Sequence, residues 1–138
     1  MFSIIYITAG DLPEARKIGR ILVEERLAAC ANIFPITSIF RWKGNIDEAS
    51  EFGIIVKTRT DKVKEIEKRV KEIHSYDVPC VISFKIDNGS PEYLAWINDS
   101  VSSTLEVLSD SELIEQIKES KEDYNSGKFK TLRDIMKK

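Results

Sequence analysis

The sequence predicts an α+β domain of the ferredoxin-like type, a four-stranded antiparallel sheet with helices on one face, plus extra helices at the C-terminal end. Three observations predict it. Strand-like and helix-like apolar patterns succeed one another in the order βα-ββ-αβ as far as Ile86. Trp42-Lys43-Gly44-Asn45 reads as a hairpin turn, which makes the two middle strands antiparallel neighbours. Each helical stretch carries one apolar stripe, and a right-handed crossover on either side of the hairpin lays both stripes on the same sheet face.

Phe2 to Ala9 is β-branched and aromatic and apolar on both faces, as a central strand requires. Gly10-Asp11 turns the chain, with Asp11 the expected N-cap and Pro13 and Glu14 in the first turn. Ala15, Ile18, Leu22, Val23 and Leu27 recur at helical spacing, so this helix is expected to end near Ala29, with Cys30 at its end. Strand character returns from Ile33 to Trp42, and the partner strand strengthens from Phe52 to Thr58. Asp61 is expected to open the second helix. Its Val63, Ile66, Val70 and Ile73 step by three and four, and it runs out at His74. Pro79 forces an extended Val78. Val81 to Ile86 then alternates Ile82, Phe84 and Ile86 with Ser83 and Lys85, an antiparallel strand with one wetter face. Ser90-Pro91-Glu92 starts a third helix outside the minimal unit, striped by Leu94, Ile97 and Val101.

Residues 1–101 read as one domain, 102–107 as a linker and 108–138 as a helical extension. Ser109-Asp110-Ser111-Glu112 is a capping box, flanked by Leu108 and Leu113 as a hydrophobic staple. Leu113, Ile117 and Tyr124 form only a thin apolar stripe, too little to fold alone. The extension therefore needs a surface, either its own oligomer or a protein partner. Charge is sorted along it, net −5 from Glu106 to Asp123 and net +4 from Tyr124 to Lys138.

At 42% hydrophobic and 32% charged, the 138-residue chain can build a core, and a net charge of −2 gives no reason to seek nucleic acid. The third strand offers a single Phe and no basic run, against the aromatic platform of RNA-binding sheets. The apolar N-terminus lacks a basic flank and soon reaches Asp11, so neither a signal peptide nor a membrane span is expected. Two cysteines without CxxC spacing suit reduced thiols, and a cytoplasmic location is expected. One histidine, no Ser/His/Asp set and no phosphate-cradling loop argue against an enzyme, and no organic cofactor is indicated.

Glu72 to Val81 holds the only histidine, Cys80, Tyr76 and two acids. His74, Cys80 and Cys30 are candidate ligands for copper or zinc, since imidazole and thiolate suit both. Their ordinary alternatives are a histidine at a helix C-terminus and a small buried cysteine. One imidazole and two thiols are thin for a closed shell, so a further ligand is expected from elsewhere. Trp42, with Phe40, sits on a hairpin longer than one domain needs, which suits either oligomerisation or cross-strand packing.

Several segments match a known pattern. Leu22-Val23-Glu24-Glu25-Arg26-Leu27-Ala28-Ala29-Cys30-Ala31-Asn32-Ile33 resembles the LVEERLAACVNI motif of the CutA family of divalent-cation tolerance proteins. Ser38 to Gly44 is similar to that family's SIYRWEG, Lys57-Thr58-Arg59 to its KTR, His74 to Pro79 to its HPYEVP, and Pro91 to Ile97 to its PEYLDWI. The resemblance implies a ferredoxin-like homotrimer built like PII signalling proteins, with a proposed role in copper binding and metal tolerance. It places Cys30, Trp42, His74 and Tyr76 at characteristic positions. It also suggests an anionic ligand between subunits near Lys57 and Arg59. Cys80 stands where the family commonly has Glu, a change toward copper(I) or zinc. Ile7 and Ile73 replace a cysteine and a second histidine found in some copper-linked members. The extension is not part of this pattern; Leu108 to Asp123 with Gly127-Lys128 resembles the C-terminal segments of prokaryotic antitoxins, which wrap a partner toxin.

Overall fold

Alternation in the first strand sets the layers. β1 (Phe2–Ala9) buries Ser3, Ile5, Ile7 and Ala9 on one face and leaves Phe2, Ile4, Tyr6 and Thr8 on the other. It pairs antiparallel with β3 (Asn45–Arg59) on one side and β4 (Val81–Lys85) on the other. β2 (Cys30–Trp42) lies outside β3, so the order is β2-β3-β1-β4 and every pairing is antiparallel. The computed structural model describes residues 1–102, of which Met1–Val101 form one compact unit. The expected stripe Leu113, Ile117 and Tyr124, with the rest of the 108–138 extension, lies outside the described residues.

Register brings Ile5 opposite Val56 and Ile7 opposite Ile54. These four meet Ala15, Ile18 and Leu22 of α1 (Leu12–Glu24) and Ile66 and Val70 of α2 (Val63–Ile73) in a single core. Each Ile, Leu or Val buried there contributes roughly 1.5–3 kcal/mol relative to exposure, which makes this face the dominant stabilising element. α3 (Pro91–Val101) packs at one end of the opposite face. Its Ile97 and Val101 meet Ala29 and Phe2, and Tyr93 holds the Lys57 ammonium 5.5 Å from its ring centroid.

Among the described residues no helix lies over the rest of that second face. Ile82 lies opposite Tyr6 and Phe84 opposite Ile4, and they are 50% and 55% exposed. The apolar set of β4 thus points away from the helices, whereas the wetter residues Ser83 and Lys85 share the core side. The β2–β3 ladder continues as an arm from Ile36–Glu51 to Trp42–Asn45, with Ile39, Phe40, Trp42 and Ile46 exposed along it. Lys43 at φ 49° and Gly44 at φ 81° close the arm in the left-handed conformations of a two-residue type I′ turn.

Two boundaries differ from the pattern in the sequence. α1 stops at Glu24, not near Ala29, because Arg26 turns left-handed at φ 58°. The N–H of Arg26 reaches the carbonyl of Val23 and that of Leu27 reaches Leu22, the paired bonds that satisfy the last carbonyls of a helix. Leu27 still packs on the core, which is why the apolar period continues past the real end. Cys30 accordingly opens β2 opposite Lys57 instead of ending a helix. Asp61 does not cap α2. It lies in a 3-10 turn, Thr60–Lys62, with its carboxylate on Arg59 at 2.8 and 3.0 Å.

Candidate functional site

The polar corner beside β1 is built by the termini of three elements. Asp11 accepts from the N–H of Glu14 at 2.8 Å and so fixes the start of α1. Glu14 reaches across to the loop after α2, accepting from the Ser75 N–H at 2.8 Å and the Ser75 hydroxyl at 2.9 Å. α2 ends at His74, whose ring turns back over β1. Its Nε2 lies 2.7 Å from the Thr8 carbonyl, and its Nδ1 lies 3.0 Å from the Tyr76 backbone N–H. A carbonyl can only accept and a backbone N–H can only donate, so the proton sits on Nε2 and the Nδ1 lone pair is already engaged. The Tyr76 ring packs 4.7 Å from the imidazole, and its hydroxyl donates to Glu51 at 2.7 Å. Gly10 makes room for it: a Cβ there would lie 3.1 Å from the phenol oxygen.

Glu51 is the least expected member. It is only 9% exposed, at the base of the arm, and shares the helix-free face with Gly53 and Ile55. Among the described residues its carboxylate has a single hydrogen-bond donor, Tyr76. Burial and then the Glu51 carboxylate push the Tyr76 phenol up to about 12. The Cys80 thiol is pushed up by burial first and by Glu51 as well, while the Thr8 hydroxyl pulls the other way. Tyr6 is raised by burial, then by Cys80 and Glu51. One carboxylate therefore feels a thiol and two phenols. Glu14 shows the opposite balance: burial works against its charge, but the Ser75 and Gly10 donors prevail and hold it below the usual carboxylate range.

The candidate ligands do not converge. Cys30 lies on β2, three strand spacings from the β4 side where Cys80 sits, roughly 14 Å across the sheet before any offset along it. It donates weakly to Asn32 at 3.6 Å. Both cysteines are free thiols. His74 is close to Cys80 in sequence, but neither ring nitrogen faces outward with a free lone pair. Among the described residues no group of three or more His, Cys, Asp or Glu side chains could hold a metal ion. The described residues by themselves thus do not fit a closed copper or zinc shell. Trp42 is 56% exposed near the tip of the arm, with the Lys43 ammonium 5.8 Å from its ring centroid. The Lys57 ammonium lies 5.5 Å from the Tyr93 ring centroid, and Arg59 bonds Asp61 and Asn98. Thr8, Glu51 and Ser75 have no assigned role in the sequence pattern, and Glu14 figures there only as a first-turn acid. Glu51 carried one usable signal, an acid in strand phase with Gly53 and Ile55.

Residues 3–100 match the family described as CutA1 divalent ion tolerance protein. The chain belongs to the CutA family. A divalent-cation tolerance protein CutA of Archaeoglobus fulgidus is 50% identical over 101 residues, covering 73% of this chain and 99% of that protein. One of Thermus thermophilus is 43% identical over 101 residues, covering 72% and 98%. The solved structure of the Archaeoglobus protein, described as periplasmic, superposes with a TM-score of 0.73 at 49% identity, covering 74% of this chain and all of that one. The Thermus structure gives 0.72 at 42% identity. These CutA proteins match the sheet and helices found here and are named for tolerance of divalent cations. Among the described residues no helix is long and apolar enough to cross a membrane.

Proposed function

We propose that this CutA-family chain works as a non-catalytic homotrimer in the cytoplasm that binds copper or zinc and contributes to metal-ion tolerance. The observation that carries the reading is Glu51, a buried carboxylate with one donor among the described residues, within electrostatic reach of a free thiol, at the border of an apolar sheet face that the described helices cover only at the α3 end. A buried carboxylate with so little compensation favours a cation, and an uncovered apolar face favours another copy of the chain. Ligands that one subunit lacks are supplied where two subunits meet. The free thiols suit a reducing compartment. The test is calorimetric titration of zinc(II), and of copper(I) under reducing conditions, into the full-length protein, with native mass spectrometry for stoichiometry. Saturable binding to a trimer is expected; a monomer, or a trimer that takes up no metal, overturns the reading.

A second reading rests on length. The Archaeoglobus relative is matched over 99% of itself by 101 residues, so the antitoxin-like 108–138 segment is an addition to the family body. In this reading the body is a trimeric scaffold and the segment, with Leu113, Ile117 and Tyr124 as its apolar stripe, binds a toxin-like protein partner. Co-purification with and without residues 103–138 decides it, and a partner retained equally by both forms rejects it.

A further inference from the structure

We propose that the groove between α1 and the edge strand β2 is the docking surface for the acidic segment 106–123 of the same chain. Docking there requires neither metal nor a further protein, so it stands or falls apart from both readings above.

Close packing of α1 on β2 shapes the groove. A Cβ on Gly19 would stand 3.1 Å from the Ala31 Cβ, so the helix lies near the strand, and a groove of about 570 Å³ runs along their contact. Val23, Ala31 and Ile33 give it an apolar lining, and Val23 is 40% exposed. Its rim carries three cations, Arg16, Lys17 and Arg20, against one acid, Glu24. Arg20 reaches Glu24 at 3.6 Å, but the two side chains are 78% and 63% exposed. Such a pair contributes little and yields readily to another carboxylate.

The occupant follows from charge and from where the chain leaves the domain. Residues 106–123 carry seven acids and two lysines, with Leu113 and Ile117 four residues apart among them. Glu112 and Glu119 border that pair on one side at helical spacing. An apolar stripe with an acidic border matches an apolar groove with a basic rim, as an amphipathic segment laid in a groove requires. The end of α3 lies beside the end of α1, where the Arg26 guanidinium donates to the Ser100 carbonyl at 3.5 Å. Arg26 follows Glu24, at the near end of the groove, by two residues. Residues 102–108 span up to about 25 Å when extended. The groove from Pro13 to Glu24 is roughly 16 Å long by helical rise. So short a link holds the segment at high effective concentration, and a weak contact then suffices.

The test is photo-cross-linking of the full-length protein with p-benzoylphenylalanine in place of Val23, read by peptide mass spectrometry. Cross-links to residues 106–123 are expected, in a product that runs at the mass of one chain in denaturing electrophoresis. Arg16→Glu with Arg20→Glu should cut the yield about fivefold, and so should Glu112→Arg with Glu119→Arg. The four changes together should restore at least half of it. Arg16 and Arg20 are exposed, so the fold should survive their reversal, which circular dichroism checks. A product at twice the mass of one chain places another copy in the groove and overturns the proposal. Cross-links confined to residues outside 106–123, a yield unmoved by either reversal, or no recovery in the fourfold variant overturn it as well. Should the groove variant not fold, the Val23 cross-link map and the Glu112→Arg with Glu119→Arg variant decide, because those two changes lie outside the compact unit Met1–Val101.

Discussion

Tyr76 and Glu14 show how single side chains hold the corner, and each has a distinct pH signature. Tyr76→Phe deletes the hydroxyl that serves Glu51 and leaves a buried carboxylate with no donor among the described residues. Removing one partner of such a charged hydrogen bond costs about 1–3 kcal/mol, and the exposure of Tyr76 itself favours the lower half of that range. Urea denaturation of the variant at neutral pH checks it, and an unchanged midpoint would show that Glu51 finds another donor. The phenol's pKa is raised from 10.0 to about 12, so folding favours the neutral form. That contribution is complete below pH 10 and disappears as pH climbs through about 12, so the wild type should lose its advantage over Tyr76→Phe across that window. Glu14 runs the other way. Its lowered pKa means folding favours the carboxylate, a contribution present above the ordinary carboxylate range and lost as pH falls through the lowered value. Glu14→Gln should therefore be less stable than wild type at neutral pH and converge with it in acid, as thermal melts at stepped pH would record.

At the scale of elements, the strands and helices were legible wherever apolar phase and backbone conformation agree. β1, the Lys43-Gly44 turn and the end of α2 at His74 all lie where periodicity and turn residues put them. The end of α1 was not legible, because Leu27 keeps the helical phase after Arg26 has turned the backbone and no glycine marks the change. The polar corner was legible as a set of residue types in one segment. Its wiring was not, because Thr8, Glu14 and Glu51 arrive from distant parts of the chain and a ring's tautomer has no trace in sequence. Packing of β2 on β3 has a hidden constraint of the same kind. A Cβ at Gly53 would stand 2.7 Å from the Phe34 ring, which covers that glycine across the pair. Gly53→Ala should cost about 1–3 kcal/mol through displacement of Phe34. Combining it with Phe34→Leu should cost less than the two single changes added together, and a strictly additive double-mutant cycle would deny the contact.

For the whole molecule, the decisive feature is how much apolar surface the described residues leave open. Ile82 and Phe84 on the helix-free face, with Ile39, Phe40, Trp42 and Ile46 on the arm, form more exposed large side chains than isolated surface residues account for. A two-stranded arm is only marginally stable by itself in water, and its order here is explained if another chain lies along it. If these surfaces meet in a trimer, stability becomes tied to assembly, and the wild-type melting temperature should rise with protein concentration. Phe84→Asp separates assembly from folding. At a position already 55% exposed, the substitution changes the folded monomer by little, within the range of ordinary surface mutations. Buried in an apolar interface, the same carboxylate would be unpaired and would cost several kcal/mol per subunit. The variant should therefore run as a monomer in light-scattering chromatography, keep its far-ultraviolet circular dichroism, and melt at a temperature independent of concentration. A Phe84→Asp protein that still elutes as a trimer would move the interface off this face and leave the arm as the remaining contact surface.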